Sequence, residues 1–74
     1  MLLLERKKLE SGGTVVVDDE RPIARLEELI VYAVQVGGHV DIAVPIRASQ
    51  AARLRATAGS RHLTIRSASR VVVR

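Results

Sequence analysis

Thr14-Val15-Val16-Val17, followed by Ile23-Ala24-Arg25-Leu26-Glu27-Glu28-Leu29-Ile30-Val31-Tyr32-Ala33-Val34-Gln35-Val36 and then His39-Val40-Asp41-Ile42-Ala43-Val44, is the stretch that decides the fold. The first run is β-branched throughout and reads as a buried strand. In the second, Ile23, Leu26, Leu29, Ile30, Ala33 and Val34 recur at spacings of three and four, which predicts a helix over about residues 20–36 with that stripe as its core face. Asp18 or Asp19 is placed to cap its start, Pro22 is tolerated in the first turn, and Gly37-Gly38 close its end. The third run alternates, with Val40, Ile42 and Val44 on one side, and predicts a strand that Pro45 stops. Strand, helix and strand joined by short connections make a βαβ unit with parallel strands and a right-handed crossover.

Working outward, residues 48–58 predict a second helix, with Ser49 near its start and Gly59 at its end. Its apolar side is thin: Ala51, Ala52, Leu54 and Ala58. Residues 61–66 alternate again, 67–69 read as a turn, and 70–74 alternate once more, which predicts a β-hairpin. The first eleven residues fit either a helix capped by Gly12-Gly13 or an extra strand, and the strand is preferred. The expected architecture is one small two-layer α/β (α+β) domain over residues 1–74. It has a mixed sheet and two helices in the order β-α-β-α-β-β, plus that additional N-terminal strand or helix.

Composition narrows the function. A chain of 74 residues with no cysteine has no disulfide or thiolate metal site, and such small domains often rely on self-association. Val31, Tyr32 and Val36 fall outside the core stripe of the first long helix and are the expected oligomer interface. No apolar run has the length of a signal segment or a membrane span, so a cytoplasmic protein with no membrane partner is expected. There is no nucleophile–base–acid set, no phosphate-cradling glycine loop and no ligand-spaced histidine pair, so no catalytic residue, metal or cofactor is expected. Asp18-Asp19-Glu20 is better explained by the helix start than by a cation, and His39 and His62 read as ordinary exposed strand residues.

Charge is the strongest pointer. Residues 1–41 hold all eight acids and five bases, net −3, whereas residues 42–74 hold seven arginines and no acid, net +7. Such asymmetry points to an anionic partner. Arg47, Arg53, Arg55, Arg61, Arg66, Arg70 and Arg74 are therefore the candidate nucleic-acid contacts, since the planar guanidinium pairs bidentately with phosphate. With Tyr32 the only aromatic, base stacking is unsupported. Duplex with little sequence preference is the expected target. The alternative is an adaptor or regulatory module whose arginines meet an acidic protein. A small anti-anti-sigma-like regulator fits the strand–helix alternation, but no phospho-acceptor context supports it.

The element order, with Arg21-Pro22, the helix containing Ile30-Val31-Tyr32-Ala33, the strand Val40-Asp41-Ile42, and Arg47-Ala48-Ser49-Gln50-Ala51, resembles Alba-type nucleic-acid-binding proteins over residues 14–74. That resemblance implies a dimer, a nucleic-acid contact at Arg21 and a final hairpin reaching along the duplex.

Overall fold

The computed structural model describes residues 2–66 and the backbone of 68–69. Its elements are α1 (Leu3–Glu10), β1 (Thr14–Val17), α2 (Ile23–Val36), β2 (His39–Ile42), β3 (Ile46–Arg47), α3 (Ala48–His62), β4 (Leu63–Ile65) and β5 (Ala68–Ser69). The α/β class holds. The described pairings are all parallel, however, rather than mixed: a sheet in the order β1-β2-β4 and a short β3-β5 pair.

Strand order explains the layering. The crossovers from β1 through α2 to β2 and from β2 through α3 to β4 step in the same direction, and α2 and α3 pack together over one core. The register lines up Val15, Val40 and Leu63 in one row and Val17, Ile42 and Ile65 in the next. These side chains meet Leu26, Leu29, Ile30 and Ala33 of α2 and Ala51 and Leu54 of α3 in one core. The opposite face carries Thr14, Val16, His39, Asp41 and Thr64, which are exposed or half-buried. A parallel sheet is ordinarily covered on both faces. Among the described residues nothing covers the second face, which is polar apart from Val16, and its side chains pair across strands: Arg66 donates to Asp41 (2.7 and 3.0 Å), and His39 Nε2 meets Thr64 Oγ1 at 2.6 Å.

Several expectations are corrected. Residues 3–10 form a helix, not a strand, because their partners are distant in sequence. Leu9 is fully buried, Glu5 binds Arg21, and Glu10 accepts from the Tyr32 hydroxyl. The first strand of the expected hairpin is shorter and has a partner the sequence did not show: Leu63 and Ile65 complete the two core rows beside β2 as a third parallel strand, while residues 61–62 belong to α3. Ala68-Ser69, read as a turn, pairs instead with β3; residues 70–74 lie outside the described residues. Finally, α2 begins at Ile23 with Pro22 at its cap, and no side chain caps it; Asp19 accepts from Arg21 instead. Val34, counted in the core stripe, is 39% exposed. Gly37 closes α2 as expected, and Gly59 interrupts α3 with φ +67°, a conformation that suits glycine.

The surplus apolar surface of α2 is smaller than expected. Tyr32 and Val36 pack against the core, and the Arg6 guanidinium sits 5.1 Å over the Tyr32 ring. Of the three proposed interface residues, only Val31 is left exposed.

The Glu5–Arg21 pair has a pH consequence. Arg21 donates twice to Glu5 (3.0 and 2.6 Å), and this holds the carboxyl below its ordinary value of 4.5. A carboxyl depressed in the folded state adds stability above its unfolded pKa, and that stability disappears as pH falls through the folded value. Urea midpoints should therefore drop on acidification from about pH 5 to about pH 3. Glu5→Gln should reduce that drop; an unchanged pH profile in the variant would contradict the assignment.

Candidate anion-binding surface

The arginines that stand together in sequence do not act together in space. Arg53 donates to Glu27 through Nε (2.8 Å) and Nη2 (3.3 Å), so an arginine of α3 is tied to α2. Arg66 forks onto Asp41, which raises the guanidinium pKa by hydrogen bonding and charge. Arg21 lies between Glu5 and Asp19 (Nε to Oδ1 2.8 Å), and its guanidinium pKa is raised mainly by the hydrogen bond to Glu5. Three of the eight candidate contacts are thus neutralised by carboxylates from the acidic half. The charge split along the chain is partly cancelled by the βαβ crossovers.

Arg47, Arg55 and Arg61 are exposed and form no ion pair among the described residues. Arg47 precedes α3, and its backbone N–H donates to Gln50 Oε1 at 3.3 Å. Arg55 lies within the helix, and Arg61 follows the Gly59 break. At 100° per residue Arg53 and Arg55 are about 200° apart around the axis. Only Arg55 is therefore turned away from the α2 side. Arg70 and Arg74 lie outside the described residues.

The histidines serve the fold. His62 closes α3 and donates from Nδ1 to the Gly38 carbonyl at 2.9 Å, rather than standing on an outer strand face. His39 Nδ1 donates to the Arg61 carbonyl at 3.0 Å. It thereby joins the head of β2 to the end of α3.

Sequence reasoning missed one cluster. A cavity of about 300 Å3 gathers Glu5, Asp19 and Glu28 with Arg21 and Arg25. Arg25 meets Glu28 at 3.5 Å, so the guanidinium groups here are already engaged by carboxylates. No local signal marks it, because the first eleven residues fit helix and strand alike and Glu5 and Arg21 are 16 positions apart. Among the described residues no group of three or more acids or histidines is arranged to hold a metal, and no helix is long and apolar enough to cross a membrane.

Comparison with protein-family models, curated proteins and solved structures finds no match.

Proposed function

We propose that this chain is a small non-catalytic domain that binds nucleic acid through phosphate contacts made by Arg47, Arg55 and Arg61. The supporting observation is that these three arginines, on or beside α3, are exposed and have no carboxylate partner among the described residues. A guanidinium already forked onto a carboxylate must give up charge-assisted hydrogen bonds before it can take a phosphate. Arg21, which the Alba-type likeness would place on nucleic acid, is in that position, as are Arg53 and Arg66. With Tyr32 held between Glu10 and Arg6, no aromatic platform is offered to unstacked bases. Duplex with slight sequence preference is the substrate this chemistry fits.

The second reading is an acidic protein segment at the same arginines. It is favoured by how few free guanidinium groups remain and by their spacing along α3. A salt-dependent titration with duplex DNA and RNA separates the two. Three phosphate contacts give a slope of log affinity against log salt of about −2.7. Negligible duplex binding at low ionic strength, together with capture of an acidic peptide, would transfer the assignment to the protein-binding reading.

A further inference from the structure

Strand β1 lies at one edge of the described sheet. Among the described residues its only neighbour is β2. The His39 N–H donates to the Gly13 carbonyl (3.0 Å) and the Ala43 N–H to the Val17 carbonyl (2.8 Å). The odd-numbered residues of β1 therefore turn their backbone groups toward β2, and those of Thr14 and Val16 point to the free side. A row of unpaired donors and acceptors on an edge strand is a template for another strand.

The side chains along this edge are apolar in the middle and charged at the ends. An open groove of about 470 Å3 runs between α1 and β1, with Leu4, Lys7, Lys8, Val15 and Val16 along it. Leu4 is 78% exposed and Val16 47%. Lys7 and Lys8 lie near the N-terminal end of β1, while Asp18 and Glu20 follow its C-terminal end; all four are exposed and form no ion pair among the described residues. Free acid at one end of an edge strand and free base at the other is self-complementary under two-fold symmetry.

We propose that two copies of this chain associate through antiparallel pairing of their β1 strands, giving one six-stranded sheet. With Val16 opposite its counterpart on the two-fold axis, both residues use their outward backbone groups, and Thr14 falls opposite Asp18 of the second copy. The acidic end of each strand then lies beside Lys7 and Lys8 of the other copy. Val16 and Leu4 lose their exposure at the same seam. The proposal stands apart from the nucleic-acid reading, because it uses neither α3 nor its arginines.

Sedimentation of the full chain tests it, with circular dichroism as the control for folding. The unmutated chain is expected to dimerise with rising concentration. Val16→Lys puts two like charges on the axis and should give a folded monomer, whereas Val31→Glu should leave the dimer intact. Lys8→Glu alone and Asp18→Lys alone should each weaken the dimer about tenfold, since every change counts twice across a two-fold. The combined Lys8→Glu/Asp18→Lys chain restores the pairing and should recover the dimer, which a merely structural role for either residue would not produce. A monomer at every concentration would show that the lysines only guard the edge and would overturn the proposal. So would a dimer that survives Val16→Lys, or a double variant no tighter than the single ones.

Discussion

Leu54→Ala is expected to remove most of the domain's stability. Within α3 the only fully buried side chains are Ala51 and Leu54, with Ala58 partly buried beside them. The helix is attached to the sheet largely by one leucine, because alanine brings helix and sheet close but buries little area. Truncating a buried leucine costs about 2–5 kcal/mol, the upper values applying where the surroundings cannot collapse into the space. Here the neighbours include sheet rows fixed by register, such as Val40–Leu63, which leaves little room to relax. Against a total of about 5–15 kcal/mol for ordinary domains, and the low end for one of this size, the variant should be substantially unfolded at room temperature. Urea denaturation followed by circular dichroism measures this. Val34→Ala, at an exposed position of α2, should shift the midpoint little. Equal shifts for the two would contradict the packing described.

The second large effect is at Gly38. A Cβ there would sit 2.7 Å from Leu9 Cδ2, 2.8 Å from Leu9 Cα and 2.9 Å from the Leu9 carbonyl oxygen. Two of those atoms are backbone, so no rotamer change relieves the clash, and α1 itself must move. Gly38→Ala should destabilise by about 1–3 kcal/mol. Adding Leu9→Ala should not rescue it, because the backbone contacts remain. Moving α1 also separates Glu5 from Arg21. The Gly38→Ala and Glu5→Gln changes should therefore be non-additive, with the acid-dependent loss of stability reduced in either variant and no smaller in both together. Strict additivity would mean that α1 tolerates the extra methyl in place.

What could be read beforehand was local. The stripe Leu26, Leu29, Ile30 and Ala33, the alternation Val40/Ile42, and the breaks at Gly37 and Gly59 each depend on a few neighbouring residues. The sequence leaves α1 open between helix and strand because eight residues without a clear period are decided by remote partners: Leu9 by Gly38, Glu5 by Arg21, Glu10 by Tyr32. The Leu63–Ile65 alternation is the same whichever strand lies beside it, and only the Val40 and Ile42 rows set it parallel to β2. The charge split had the same weakness. Arg53 and Glu27 are 26 positions apart, and Arg66 and Asp41 are 25 apart, so a count along the chain could not register their pairing. A signal did exist: a second right-handed βαβ step after Asp41 brings the third strand alongside it. That placement puts Arg66 within reach of the carboxylate.

The claim that three unpaired arginines carry binding is tested most directly by comparing two charge-matched double variants, Arg55→Gln/Arg61→Gln and Arg53→Gln/Arg66→Gln. Both lower the net charge equally and leave the long-range field of the molecule alike. They differ in whether the lost guanidinium was free or already engaged by a carboxylate. In a duplex titration over a range of salt, the first pair should weaken binding and reduce the magnitude of the salt slope by up to about 1.8, at about 0.9 per phosphate contact. The second pair should leave the slope near that of the unmutated chain. Equal losses from the two pairs would mean that overall charge rather than these free arginines draws the nucleic acid, and an unmutated chain with no duplex affinity at low ionic strength would contradict the nucleic-acid reading altogether.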